Sequence, residues 1–152
     1  MAVVLAGGCR VSEMNEGSAQ IGGSLKIWSQ ISRDTGANAI SMRVMEFGQG
    51  QSPLLKNDES DEVLYVLENF DGSQAWSDYC SLSIDQRSFE VTSQTGIYVK
   101  AGQTFSIENL AKKPVILVST QSPASHAGVA GEQIQFPPVI RLTDRAAIPT
   151  AD

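Results

Sequence analysis

The chain has 152 residues, enough for one domain with a substantial core and too few for two ordinary domains. Hydrophobic residues make up 41% and charged residues 18%, a composition typical of a soluble globular protein. The formal net charge of −6 argues against nucleic acid as a partner, because nucleic-acid binding requires clustered lysine and arginine. No apolar run is long enough to span a bilayer, so we expect no membrane-embedded segment.

The chain opens with a short apolar run, MAVVL, and its two cysteines lie far apart. The run has about five residues, whereas the apolar core of a secretory signal needs roughly 7–15. We therefore expect no signal peptide and interpret this part as a loose arm or a first strand. Cys9 and Cys80 fit no CxxC spacing, which predicts reduced thiols and a cytoplasmic location, with neither a disulfide framework nor a zinc site.

Short apolar segments then recur at intervals of about ten residues. In chain order they are SLKIWSQI, NAISMRVMEF, EVLYVLE, SQAWSDY with CSLSI, SFEVT, GIYVK, TFSIEN and PVILVST. Each has the length of a strand, and β-branched and aromatic residues are frequent within them. Turn-forming residues separate them, as at Asp34-Thr35-Gly36 and Gly48-Gln49-Gly50. This pattern predicts an all-β protein, either an antiparallel sandwich or a barrel.

We predict a single domain, residues 1–152, made of three parts. The ordered body spans about residues 24–120, between an amino-terminal arm (1–23) and a carboxy-terminal linker and tail (121–152). The arm is rich in glycine and serine, and the linker is small and polar, which is typical of loops. Within the tail, Thr143-Asp144 is a candidate helix N-cap.

The stretch PLLKNDESDEVLYVLE, which starts at Pro53, resembles the first motif of the cupin barrel. In that family the motif runs Pro-x-His-x-His, then three or four residues, a Glu, and a buried strand. Glu62 stands at the Glu position, and the strand VLYVLE follows it. The two histidine positions are occupied by Leu55 and Asn57, or by Lys56 and Asp58 in a register one residue shorter.

A second stretch, which starts at Gly96, resembles the second cupin motif. Gly102 and Asn109 stand where the family has its glycine and asparagine, whereas Lys100 replaces the proline. Phe105 occupies the position of the third metal-binding histidine. Together the two resemblances imply a cupin-like antiparallel β-barrel of the RmlC type, a double-stranded β-helix or jelly roll, with degenerate metal-binding motifs.

The departures from the two motifs bear on the metal that the family usually holds. A typical cupin site has three histidines and one glutamate around Mn, Fe, Ni or Zn. Here Glu62 remains, with Asn57 as a second candidate ligand, and the single histidine, His126, lies in the polar linker. One carboxylate and one amide do not hold a transition metal against water, so we expect no metal and no other cofactor.

A metal-free barrel leaves two classes of function open. The first is binding of a small organic ligand, a sugar or carboxylic acid, which would make Glu62 the general base if the protein is an isomerase, epimerase or lyase. The candidate ligand-binding residues are Arg43, Leu55, Asn57, Lys100 and Phe105. The alternative is a non-catalytic structural or regulatory subunit whose barrel is filled by Leu55 and Phe105. Whether the protein is an enzyme stays open.

Two of the candidates have a plainer interpretation. Glu62 follows an acidic run, so it is either a buried site residue or an exposed or hydrogen-bonded turn residue. Arg43 lies within an apolar strand, where it either anchors a carboxylate or phosphate group or faces solvent. The sequence leaves both questions open.

Strand alternation around Glu62 predicts the two faces of that strand. If Glu62 points into the barrel, Leu64 and Val66 share its face, and Val63 and Tyr65 point outward. Because both faces are then apolar, we expect the outer one to be covered by another sheet, a tail or a second subunit. Unprotected strand edges add to this argument, and we predict a homodimer.

Overall fold

The computed structural model describes residues 2–14, 16–17, 19–67, 80–126 and 132–135, the last of these as backbone only. Within these ranges the chain forms β-strands and one short 3₁₀ turn, Arg33–Thr35. The predicted strand SQAWSDY and the predicted helix cap at Thr143-Asp144 lie outside the described residues. Among the described residues, no helix has the length and apolar character required to cross a membrane.

The strands of the described ranges alternate with short turns along the whole chain. In order they are β1 (Val3–Val4), β2 (Arg10–Val11), β3 (Gln20–Gly22), β4 (Leu25–Ile31), β5 (Ser41–Phe47), β6 (Gly50–Gln51), β7 (Leu54–Asn57), β8 (Asp61–Val66), β9 (Cys80–Ile84), β10 (Arg87–Glu90), β11 (Gly96–Val99), β12 (Thr104–Asn109), β13 (Val115–Ser122) and β14 (Glu132–Gln135). This confirms the prediction of an all-β chain.

Two antiparallel six-stranded sheets contain all of these strands except β1 and β2. The first sheet has the order β11-β8-β13-β5-β4-β3. The second sheet has the order β10-β9-β12-β7-β14, with β6 also paired to β12. Strands β1 and β2 form a separate hairpin. Strands that are far apart in the chain, such as β8 and β13, lie side by side in the sheet. The chain therefore crosses repeatedly from one strand to a distant one, as in a jelly-roll barrel.

The core is formed by the inward faces of both sheets. Along β8 the predicted alternation is confirmed, since Glu62, Leu64 and Val66 are buried while Val63 and Tyr65 are exposed. Val63 and Tyr65 are 47% and 44% exposed, so the described residues of the chain do not provide the cover that the sequence led us to expect. The buried apolar cluster comprises Leu25, Ile27, Met45, Phe47, Leu55, Leu64, Val66, Cys80, Leu82, Val91, Val99, Phe105, Ile107, Val115 and Leu117.

Candidate functional site

The inward face of the first sheet changes from apolar to polar along its strands. From one end to the other, the residues that β5 and β13 place opposite each other are Phe47 with Val115, Met45 with Leu117, Arg43 with Ser119, and Ser41 with Gln121. On the other side of β13, Gln121 lies opposite Glu62 of β8. The polar residues of three adjacent strands therefore meet at one end of the barrel interior, here called the polar end.

A buried cluster of Arg43, Glu62 and Ser119 lies at this polar end. The Arg43 guanidinium donates from Nη2 to Glu62 Oε1 at 2.6 Å and from Nε to Ser119 Oγ at 3.3 Å. The Ser119 hydroxyl donates a short hydrogen bond to the same Glu62 oxygen. The three residues are 4%, 2% and 0% exposed. Burial and pairing exclude the interpretations of Glu62 as an exposed turn residue and of Arg43 as a solvent-facing one.

This cluster is held by interactions that do not by themselves favour folding. Removing two charges from water costs several kcal/mol per ion, and their mutual attraction offsets this only with good geometry and further hydrogen bonds. Apolar residues of similar volume in the same places are often as stabilising or more so. A buried ion pair inside a barrel is therefore a candidate functional site, because binding and catalytic sites retain charge where packing alone does not require it.

Asn57 lies at the same end, and its side chain closes the turn between β7 and β8. The Oδ1 atom accepts hydrogen bonds from the backbone N–H groups of Glu59 and Ser60, both at 3.0 Å. The amide nitrogen donates to Ser125 Oγ at 3.1 Å. Asn57 thus forms an Asx turn and fixes the loop beside the site. The sequence-predicted contact with a ligand would have to compete with these hydrogen bonds.

Residues 122–126, here called the strap, join two connections at the polar end. The Ser125 N–H donates to Ser41 Oγ at 3.0 Å, and the Ser60 hydroxyl donates to the Pro123 carbonyl at 2.7 Å. On the other side, Arg33 Nε donates to the Ala124 carbonyl at 2.9 Å. The strap therefore ties the connection between β4 and β5 to the turn between β7 and β8.

The single histidine of the chain lies at the outer end of the strap. His126 Nδ1 is 2.7 Å from Asp34 Oδ1, and both side chains are half exposed. His126 faces the 3₁₀ turn Arg33–Thr35, away from the Arg43, Glu62 and Ser119 cluster. It therefore contributes to the attachment of the strap and not to the interior of the barrel.

Lys100 lies outside the barrel, in the turn that follows β11. Val99 is the residue opposite Glu62 on the inward face, so the next residue, Lys100, points outward and is exposed. Its neighbour there is Asp61, which accepts hydrogen bonds from the Ala101 N–H at 2.9 Å and the Tyr98 hydroxyl at 2.8 Å. These two bonds, with a smaller effect of the Lys100 charge, hold the pKa of the Asp61 carboxyl below its usual value, and the Asp61 hydrogen bond raises the pKa of Tyr98.

Leu55 and Phe105 pair across β7 and β12 in the second sheet. They are 0% and 1% exposed and belong to the buried apolar cluster. Of the six sequence-predicted site residues, the structure thus brings Arg43 and Glu62 into contact and places Asn57 at the same end. Leu55 and Phe105 lie in the core, and Lys100 lies outside.

Ser119 is the site residue that the sequence analysis missed. Alternation in PVILVSTQS places Val115, Leu117, Ser119 and Gln121 on one face of β13, which the structure confirms. The signal available in the sequence was that Ser119 and Gln121 continue the inward-facing series that Val115 and Leu117 begin.

The residues at the cupin metal positions do not fit a transition metal. Leu55 and Phe105 offer no donor atom, the Asn57 oxygen accepts two backbone hydrogen bonds, and Glu62 is paired with Arg43. Across the part of the chain that the structure describes, no three His, Cys, Asp or Glu side chains are grouped so that they could hold a metal ion. The chemistry of the cluster is therefore that of an ion pair with hydrogen-bond donors and acceptors.

Comparison with known proteins yields matches at the level of structure. No family model and no curated protein matches the sequence. The cupin domain of Schizosaccharomyces pombe Cnp3 has a TM-score of 0.57 at 17% identity, over 76% of this chain and 75% of that one. Ethanolamine utilization protein Q of Salmonella typhimurium has a TM-score of 0.61 at 13% identity, over 82% and 94%.

A third similar structure belongs to a longer protein. Oxalate decarboxylase of Lactobacillus farciminis, solved as a formate complex, has a TM-score of 0.62 at 16% identity, over 80% of this chain. The match spans 34% of the oxalate decarboxylase, about a third of its length. These likenesses, together with two antiparallel sheets that enclose a common core, show that the chain has the cupin fold.

Proposed function

We propose that the chain is a metal-independent cupin-fold protein that binds a small organic ligand, a sugar or carboxylic acid, at the polar end of its barrel. The observation that supports this is the buried cluster of Arg43, Glu62 and Ser119. In this proposal Arg43 and Glu62 recognise the ligand, and Ser119 holds the Glu62 carboxylate in place.

The pair offers both kinds of hydrogen-bonding group to a ligand. The guanidinium carries five N–H donors in a planar fork that suits carboxylate and hydroxyl oxygens. Among the described residues, both hydrogen bonds to Glu62 end on Oε1, which leaves Oε2 as an acceptor for a ligand hydroxyl. That same oxygen is the group that an isomerase, epimerase or lyase reaction would use as its general base.

The comparisons support the class of ligand only indirectly. The oxalate decarboxylase of similar fold was solved as a complex with formate, a small carboxylate. At 16% identity this likeness concerns the fold, so the proposal depends on the buried ion pair. We also propose a cytoplasmic location, which the two free thiols, Cys9 and Cys80, support.

A second candidate function is a structural or regulatory subunit with a filled barrel. Leu55 and Phe105 favour it, because both are fully buried and pack between the sheets where the family has metal ligands. In this alternative the ion pair fixes strand register and has no ligand.

A thermal-shift screen against sugars, sugar phosphates and small carboxylic acids tests the proposal. A ligand present at 100 times its dissociation constant adds about 2.7 kcal/mol to the free energy of unfolding and raises Tm. The comparison variant is Arg43→Met/Glu62→Leu/Ser119→Ala, which removes both charges of the Arg43–Glu62 ion pair together. The matched control is Glu46→Gln, on the outward side of β5.

We expect at least one compound class to raise the Tm of the wild-type protein and of Glu46→Gln but not that of the triple variant. If no class raises the Tm of the wild-type protein, or if the triple variant responds equally, ligand binding by this cluster is wrong. The filled-barrel alternative then stands.

A further inference from the structure

Gln121 is a buried residue at the polar end, and only one half of its side-chain amide is bonded. It lies on the inward face of β13 and is 4% exposed. The amide oxygen, Oε1, accepts a hydrogen bond from Ser41 Oγ at 3.0 Å. The amide nitrogen, Nε2, has no hydrogen-bond acceptor among the described residues. Because buried donors are normally paired, this nitrogen indicates a partner that comes from outside the chain.

The hydrogen bonds of Ser41 determine which way this amide faces. Ser41 lies opposite Gln121 on β5, and its hydroxyl oxygen accepts the N–H of Ser125 from the strap at 3.0 Å. The hydroxyl hydrogen of Ser41 is donated to the Gln121 oxygen, which holds that oxygen on the β5 side. The nitrogen is the other branch of the same planar amide, so it is left for the β8 side, where Glu62 lies.

Glu62 presents an acceptor next to this donor. Gln121 and Glu62 are directly opposite residues of antiparallel strands, so their Cβ atoms lie about 4.5–5.5 Å apart. Arg43 and Ser119 both bond to Glu62 Oε1, and Oε2 accepts no hydrogen bond from the described residues. A buried donor and a buried acceptor therefore lie side by side without bonding to each other.

A hydroxyl group matches this donor and acceptor, whereas a carboxylate does not. A hydroxyl has one donor and two acceptor lone pairs, so it can donate to Glu62 Oε2 and accept from Gln121 Nε2 at the same time. An ionised carboxylate has acceptors only. Beside Glu62 it would offer no donor and would add a second negative charge.

The charges at the polar end do not favour an anion either. In the interior, the positive charge of Arg43 is matched by Glu62 at 2.6 Å. The turn between β7 and β8 carries one basic and three acidic residues, Lys56, Asp58, Glu59 and Asp61. Lys100 lies near this turn and adds one further positive charge. Three carboxylates against two lysines give no positive field to draw a carboxylate toward the site.

We propose that Gln121 Nε2 and Glu62 Oε2 together bind one hydroxyl group of the ligand. The site therefore takes a neutral polyhydroxyl compound, a sugar or a polyol, in preference to a carboxylate. Ser41 is a positioning residue, because it acts on the ligand only through the Gln121 amide. This inference rests on the proposed function and decides between the two classes of ligand that the proposed function leaves open.

Two panels of probes test the ligand class on the wild-type protein. The first panel contains pentoses, hexoses and their alditols, and the second contains carboxylates without hydroxyl groups, namely oxalate, malonate, succinate and glutarate. Isothermal titration calorimetry at neutral pH measures Kd for each compound. We expect at least one neutral compound to bind at least about ten-fold more tightly than every carboxylate, a difference of the size that one well-placed hydrogen bond provides.

The outcome separates this inference from the proposed function. If a carboxylate binds as tightly as the best neutral compound, the inference is wrong and the proposed function stands. If neither panel binds, both are wrong.

Gln121→Met tests the residue itself, because it removes the amide with little change in the length of the side chain. It should weaken binding of the tightest neutral probe by about ten-fold. The matched control is Gln51→Met, the same change at an exposed position on β6, which should bind as the wild-type protein does. If Gln121→Met lowers Tm, Ser41→Ala takes its place, since it keeps the amide and removes the bond that orients it.

Monodeoxy analogues of the tightest sugar distinguish a direct contact from a general loss of structure. Against the wild-type protein, removal of the contacted hydroxyl should weaken binding by about ten-fold. Against Gln121→Met the same analogue should lose less affinity relative to its parent sugar, because one partner of that hydroxyl is already absent. Unchanged affinity in Gln121→Met, or an equal loss for the analogue in both proteins, would overturn the assignment of Gln121.

Discussion

The two ends of the barrel interior follow the same strand alternation but are stabilised differently. At the apolar end, Phe47, Met45 and Leu117 contribute in proportion to the apolar area they remove from water, about 25 cal/mol per Å². Two residues further along the same strands, Arg43 and Ser119 contribute through specific partners. Equally buried side chains at the two ends therefore respond differently to substitution. The stability lost at the apolar end increases with the amount of apolar side chain removed, whereas the stability lost at the polar end depends on which hydrogen-bonding or charged partner remains.

The largest effect is expected when the ion pair loses one member. Arg43→Met should lower the free energy of unfolding by about 3–5 kcal/mol, because the Glu62 carboxylate is then buried without its counter-ion. The triple variant Arg43→Met/Glu62→Leu/Ser119→Ala should be close to wild type or more stable. Urea denaturation measures both, and a triple variant as unstable as Arg43→Met would show that the polar end is not a unit.

At the apolar end a truncation should have a graded effect. Leu117→Ala removes a fully buried side chain and should cost about 3 kcal/mol, from lost burial and the cavity that remains. Val118→Ala, at the next position but facing outward, should cost less than half as much. Equal losses in the two variants, measured by urea denaturation, would contradict the assignment of the two faces of β13.

A smaller effect is expected for the turn beside the polar end. Asn57→Ala removes the acceptor of the Glu59 and Ser60 N–H groups and should cost about 1–2 kcal/mol. Asn57→Ser keeps a short side-chain oxygen as the acceptor, adds no charge at this buried position and loses the donor to Ser125, so it should cost less. If Asn57→Ser proves as costly as Asn57→Ala in the same assay, the side-chain acceptor does not stabilise this loop.

The smallest effect concerns acid stability at the outer surface. The pKa of Asp61 in the folded chain lies below its ordinary value of 3.8, so the stability it contributes is complete above that pH and is lost as the pH falls through the lower folded value. Asp61→Asn should therefore flatten the decline in stability below about pH 4, and Tyr98→Phe should flatten it in part. Thermal unfolding at a series of acidic pH values measures this, and an unchanged slope in Asp61→Asn would count against it.

Local patterns were sufficient to predict β4, β5, β8–β13 and the inward side of β8, whereas the shorter strands β3, β6, β7 and β14 were not predicted. Period-two alternation is a property of consecutive residues, so Glu62, Leu64 and Val66 could be assigned to one face before any partner strand was known. The outward orientation of Lys100 could have been predicted in the same way from that of Val99. Likewise, Asn57 followed by Asp58-Glu59-Ser60 indicated a turn, and the Asn57 side chain closes that turn.

The contact between Arg43 and Glu62 could not be predicted in this way. The two residues lie on β5 and β8, which are separated by β13, and their meeting depends on two strand registers. Shifting either register by one residue turns the side chains to the opposite face. Ser119 was missed for the same reason, because its importance comes from its position between two charges on neighbouring strands.

The strap also has a consequence for how the barrel opens. Its attachments are hydrogen bonds between polar groups near the surface, such as those from the Arg33 N–H to the Ser125 carbonyl and from the Ala124 N–H to the Asn38 carbonyl. Releasing them exposes little of the apolar core, so we expect the strap to open as a small cooperative unit at a lower free energy than global unfolding. The amide hydrogens of Arg33, Ala124 and Ser125 should then exchange with solvent together, well before those of β13. The rate of that opening would govern how fast a molecule reaches the polar end from solution.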